Sequence, residues 1–153
     1  SYGHMQIEAR INQHPDISKL LTLWSQKGSS VIRGNMLAIP IEESILYIEP
    51  LYLKADNSEI PELKRVIVSF ADKIVMDKDL PSAISKLFYG SSFTDLSVDS
   101  KGKSKVNLRS LVERANTHFN QAENYMRKGN WAKYGNELKK LKEVIRMMKR
   151  TKN

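Results

Sequence analysis

Apolar residues recur along this chain with two periods, and the switches between them mark out its elements. Ile7 and Ile11, four apart, define a short helix that must stop near Pro15, whose ring cannot continue it. Asp16 can then cap a second helix carrying Ile17, Leu20, Leu21 and Trp24 on one face, closed by Gly28. From there the period drops to two. Leu37, Ile39 and Ile41 alternate as in a strand buried on one side, and after the polar break Glu42-Glu43-Ser44 a second strand runs from Ile45 to Leu53. A polar loop over 54–62 follows. Val66, Val68 and Phe70 then alternate as a third strand, and Ile74-Val75-Met76 reads as a short fourth. Short links between successive strands predict an antiparallel meander. The second strand is apolar on both faces, Leu46 and Ile48 against Ile45, Tyr47 and Leu51, so it needs cover on both sides. The early helices supply one layer. The other must come from a helix over 80–88 ending at Gly90, from later helices, or from protein outside this chain.

Residues 91–105 are polar, serine-rich and aperiodic, and read as a linker. Beyond them the helical period returns. Asn107 can cap a helix, with Val106 and Leu111 placed as a hydrophobic staple, and Leu108, Leu111, Val112, Ala115, Phe119, Ala122 and Met126 form one stripe. Gly129 ends that helix and Asn130 opens another, in which Trp131, Tyr134, Leu138, Leu141, Ile145 and Met148 step as a heptad-like seam. So short a connection makes the two helices antiparallel. The expected architecture is therefore α+β. A small antiparallel sheet of three or four strands with flanking helices spans 6–90, a polar linker 91–105, and a basic helical hairpin 106–150. Residues 1–5, with Gly3-His4-Met5, read as an expression-tag remnant and are set aside. The natural sequence then opens mid-helix at Gln6, as expected of a piece of a longer protein.

Charge sharpens this division. From Lys101 to Asn153 there are 15 Lys and Arg against 4 Asp and Glu, a net of +11, whereas residues 1–100 carry 10 against 13, a net of −3. A basic last third points to an anionic partner or to docking on an acidic surface. The 41% hydrophobic and 27% charged content is that of a globular protein. No run of eighteen apolar residues is present to span a membrane. The absence of cysteine excludes disulfides, thiolate nucleophiles and cysteine-ligated zinc.

Candidate chemistry is sparse. Gly102-Lys103-Ser104 imitates the end of a phosphate-binding loop, but Ser97 stands where the motif needs glycine, and the tripeptide lies in the linker. His14 and His118 lack metal-ligand spacing. Carboxylates pair at Glu42-Glu43, Glu59 with Glu62, Asp77 with Asp79, and Asp95 with Asp99, all at turns, where acidic residues solvate or cap; Asp77 and Asp79 fit as caps of the following helix. No G-x-S-x-G nucleophile motif occurs. No catalytic residue, metal or cofactor is expected. The functional candidates are the hairpin cations: Arg127, Lys128, Lys133, Lys139, Lys140, Lys142, Arg146, Lys149 and Arg150. Phe119, Trp131 and Tyr134 fall on the apolar seam, which leaves charge without stacking aromatics. That combination favours an anionic lipid, a cell-envelope polymer or an acidic protein surface. Nucleic acid ranks second and a carboxylate-based hydrolase third.

Four stretches carry a family resemblance: Leu21-Thr22-Leu23-Trp24-Ser25-Gln26-Lys27-Gly28-Ser29, Val31-Ile32-Arg33-Gly34-Asn35-Met36-Leu37-Ala38-Ile39-Pro40-Ile41-Glu42, Leu46-Tyr47-Ile48-Glu49-Pro50-Leu51-Tyr52-Leu53-Lys54-Ala55, and Ile60-Pro61-Glu62-Leu63-Lys64-Arg65-Val66-Ile67-Val68. With Gly129-Asn130-Trp131 further on, they resemble uncharacterised protein family 0182, large bacterial integral membrane proteins. The resemblance implies transmembrane helices upstream, a large soluble region outside the cytoplasm, and this chain as its C-terminal end, with the rest of the parent protein as a partner. No activity is assigned to that family, so no catalytic residue is carried over.

Overall fold

The structure, a computed structural model, describes residues 3–26, 29–96 and 107–151. The chain divides into two compact units, Ser1–Ala83 and Ile84–Asn153. Gly28, Val106, Asp99, the imitation of a phosphate-binding loop and the linker beyond Leu96 lie outside the described residues.

The first unit opens with two helices, α1 (His4–Gln13) and α2 (Pro15–Ser25). They meet at His14, which ends α1 and caps α2 with extended backbone, φ −66° and ψ 123°. The expected cap, Asp16, lies instead in the first turn of α2. Pro15 takes the first helical position, where its fixed φ suits the helix and its missing N–H is no loss. Asp16 is left to complement the helix dipole.

Five antiparallel strands follow: β1 (Ser29–Arg33), β2 (Leu37–Ile41), β3 (Ser44–Ala55), β4 (Glu62–Phe70) and β5 (Lys73–Asp77). The sheet is one strand richer than the sequence reading. β1 and β2 pair end to end along one edge of β3, while β4 pairs along its other edge and β5 with β4. Between Arg33↔Leu51 and Leu37↔Ile48 the outer edge advances four residues against three, which makes a one-residue bulge at Gly34–Met36. The bulge switches the alternation. Val31 and Arg33 share a face with Leu51, whereas Leu37, Ile39 and Ile41 share the opposite face with Leu46 and Ile48.

Pro50 explains the position of the bulge. It stands inside the central strand without an N–H to donate, and its carbonyl accepts from the Gly34 N–H at 2.8 Å. A Cβ on Gly34 would come within 2.7 Å of the Pro50 ring, so only glycine fits this approach. Pro40 is tolerated because β2 lies at the sheet edge.

The core on the helix side comprises Ile7, Ile11 and Ile17 against Tyr47, Leu51 and Ile67, with Leu21, Met36 and Ile74 packed around them. The early helices thus form the expected layer, and Leu46, Ile48, Val66 and Val68 are buried on the other face. Helix α3 (Leu80–Tyr89) begins where Asp79 Oδ1 accepts from the Ser82 N–H at 2.9 Å. Asp77 instead holds the Lys78 N–H at 2.7 Å.

In the second unit, a 3-10 helix (Phe93–Asp95) capped by Ser92 lies within the stretch read as linker, and Leu96 is buried. Helices α4 (Leu108–Arg127) and α5 (Trp131–Arg150) pack together. Asn107 accepts from the Arg109 and Ser110 N–H groups, and Asn130 from that of Lys133, as expected of the two caps. Gly129 takes φ +72° between the helices, a conformation glycine adopts freely. Leu111, Val112, Ala115, Phe119 and Ala122 of α4 are buried, as are Leu141, Val144, Ile145 and Met148 of α5.

Trp131 departs from the expected seam. It is 62% exposed, with its ring edge-on to Tyr134 at 5.6 Å between centroids. At about 100° per residue, the ten positions back from Leu141 swing Trp131 roughly 80° off the buried line, while Tyr134 stays near it.

Candidate functional site

The charges of α5 follow the turn of the helix. Lys139, Lys142, Arg146 and Lys149 succeed one another at steps of three and four and so share one side. Trp131 precedes Lys142 by three turns and Lys149 by five, which sets the exposed indole at the N-terminal end of that side. Lys133 and Lys140 occupy the opposite flank, where the Lys133 ammonium lies 5.6 Å over the Tyr125 ring. Arg127, Lys128, Lys139, Lys140 and Arg150 are exposed, while Lys142, Arg146 and Lys149 are half-buried along their stems. Arg146 pairs with Glu143 of its own helix at 2.6 Å, Lys140 lies 3.7 Å from Glu137, and Arg127 acts on Glu123 one turn back in α4. Arg127, Lys149 and Arg150 also sit in last turns, where they complement helix dipoles, a structural role that needs no partner.

Under this surface the hairpin buries two carboxylates. Glu137 accepts from His118 Nδ1 at 2.6 Å, and with its amide nitrogen turned inward Gln121 donates to both Glu137 oxygens. Glu123 differs. It is 8% exposed and its Oε1 has no hydrogen-bond partner. Burial pushes its carboxyl above the ordinary value, against the opposing pull of Arg127.

The first unit holds a polar cluster that its sequence does not announce. Arg33 donates to both oxygens of Glu49, at 2.6 and 3.0 Å, to Asn12 Oδ1 at 2.7 Å, and pairs with Glu8 at 2.8 Å. Glu8 and Asn12 lie one turn apart on α1, and Glu49 is 2% exposed at the centre of β3. Burial alone would lower the Arg33 pKa, but Glu49 and Glu8 outweigh it and the guanidinium is held above its ordinary value. The cluster binds α1 to the bulged edge of the sheet. Its donors and acceptors are directed at one another, which marks it as architecture.

The carboxylate pairs expected at turns do not converge on one another. Glu62 pairs with Lys64 at 2.9 Å, and Asp95 lies in the 3-10 helix. Glu43 and Asp72, from neighbouring turns, both line one cavity at the end of the sheet, where the Asp72 carbonyl accepts from Arg10 at 3.0 Å. Among the described residues no group of three or more His, Cys, Asp or Glu is placed to hold a metal ion, and no helix is long and apolar enough to cross a membrane.

These observations define a two-unit α+β segment: a helix-covered antiparallel sheet, then a cation-rich helix pair. No family model and no solved structure matches the chain. Curated relatives do. The chain is 45% identical over 148 residues to a UPF0182 protein of Pelobacter propionicus, 46% over 151 residues to UPF0182 protein GSU2333 of Geobacter sulfurreducens, and 48% over 149 residues to a UPF0182 protein of Geotalea uraniireducens. Each match covers 96–97% of the chain, and the chain spans 17% of each relative's length. The chain belongs to the UPF0182 family, as one part of a much longer protein.

Proposed function

We propose that this segment is a non-catalytic docking module at the C-terminal end of a bacterial membrane protein, lying outside the cytoplasm and meeting anionic lipid headgroups through the α5 side that carries Trp131, Lys139, Lys142, Arg146 and Lys149. The observation that supports this reading is the exposed indole at the end of a cationic row. An indole has an apolar body and one N–H donor, and it settles at the boundary of hydrocarbon and headgroup; lysine and arginine beside it meet the phosphates. Catalysis finds less support. The carboxylates that converge, Glu43 and Asp72, are both exposed, whereas a general acid must be withdrawn from water to keep its proton.

Sedimentation with phosphatidylglycerol vesicles at low salt, compared with phosphatidylcholine vesicles, tests the reading. Binding should be confined to the anionic vesicles, fall steeply as salt rises, and drop at least tenfold in a K142Q/R146Q/K149Q variant. No binding at low salt, or binding unchanged in the variant, would remove it. Tighter association with a single-stranded oligonucleotide, lost on Trp131→Ala, would favour base stacking instead.

A further inference from the structure

The face of the sheet turned away from α1 is apolar over more of its length than the chain covers. Leu46, Ile48, Val66 and Val68 on that face are fully buried. One row further along, past Pro50↔Val66, the register sets Ile32, Tyr52 and Leu63 side by side on β1, β3 and β4. An extra residue in β4, Lys64, maintains this alignment, since Leu51 pairs with Arg65 and Tyr52 with Leu63. The Tyr52 ring lies over Gly34, where an added Cβ would come to 3.0 Å from it, and Tyr52 is half-buried. Its neighbours are less covered: Ile32 is 39% exposed and Leu63 44%. Just beyond the row, in the β3–β4 loop, Ile60 is 75% exposed.

Single exposed aliphatic residues are ordinary at a protein surface, but a row that crosses three strands is not scattered. A sheet face of this kind is closed by another element. Strands about 4.8 Å apart set the outer members of the row roughly 10 Å from each other, the width of one helix. A helix with an apolar stripe therefore fits the row, with Tyr52 under its axis. Area decides which chain supplies that helix. Ile32, Tyr52, Leu63 and Ile60 offer on the order of 300 Å² of apolar surface, far below the roughly 800 Å² per partner that holds two free proteins together. A second copy or a separate protein would not stay on so small a patch. A segment of the same polypeptide would, because tethering replaces a bimolecular encounter with an intramolecular one at an effective concentration of up to about millimolar. The chain spans only 17% of each matched relative's length, so most of such a polypeptide lies outside it. We propose that Ile32, Tyr52 and Leu63 form the docking surface for the apolar stripe of an amphipathic helix from another part of the same UPF0182 polypeptide.

The test uses the full-length protein in cells, with the photo-crosslinking residue p-benzoylphenylalanine placed in turn at positions 32, 60 and 63, and at the exposed Lys19 of α2 as a control. Crosslinks from 32 and 63 are expected to reach one common segment outside this chain, with apolar residues at steps of three and four, and position 19 should not reach it. In an I32S/L63S variant of the full-length protein, limited proteolysis should release this part severalfold faster. The same substitutions should leave the 153-residue chain folded, with its amide spectrum retained, so that faster release reports lost docking. The chain alone should sediment as a monomer; a dimer dispersed by I32S/L63S would assign the row to self-association and overturn the proposal. Crosslinks only within this chain, to a second copy, to lipid or to nothing, or release unchanged in the variant, would overturn it equally.

Discussion

Glu49 in the sheet and Glu123 in the hairpin are both withdrawn from water, yet the two units treat them differently. Glu49 meets a two-pronged guanidinium whose other contacts reach α1. Glu123 keeps one oxygen without a partner. A buried ion pair adds little net stability over apolar residues of the same shape, but removal of one member exposes the full cost of the other. A buried carboxylate with an empty acceptor already bears part of that cost. The sheet has therefore made its charge indispensable, and the hairpin has left its charge improvable.

Substitutions can break or sharpen that contrast. Arg33→Met, which strips Glu49 of its guanidinium, should have the largest effect, a loss of about 3–5 kcal/mol in urea unfolding. Gly34→Ala attacks the same edge through packing: its methyl meets the Pro50 ring, and about 1–3 kcal/mol should be lost.

Glu123→Gln should act in the opposite sense, raising stability by about 1 kcal/mol at neutral pH. Burial raises the Glu123 value in the folded state. This carboxyl therefore takes up a proton on folding, and its contribution is greatest below the unfolded-state value and is lost as pH rises toward the folded one. The advantage of the glutamine should accordingly shrink as the urea series is carried to acid pH. Trp131→Ala should change stability by less than about 0.5 kcal/mol, because the indole covers no core. A large loss there would return Trp131 to the interior and remove its role in docking.

Much of the fold was legible because one face of each element does one job. β3 is apolar on both sides, and the α4 stripe runs unbroken from Leu111 to Ala122. β1 escaped notice because Arg33 occupies the position that faces the helices, so the alternation of Val31 and Arg33 does not look apolar. Trp131 was misplaced because a short heptad count ignores the rotation that a straight helix accumulates. The cluster around Arg33 and the meeting of Glu43 with Asp72 could not be read at all. Their members are far apart in the chain, and only strand register and the seating of α1 on the sheet bring them together.

The bulge opposite Pro50 also acts as a parity switch for everything after it. Deletion of a single residue at 35 or 36 would carry the side chains of Leu37, Ile39 and Ile41 across to the α1 face, and the small, exposed Ala38 and Pro40 to the side those three now fill. One proline that cannot donate thus fixes which half of the outer edge is greasy on which side. The edge can be lengthened or shortened there only in steps of two.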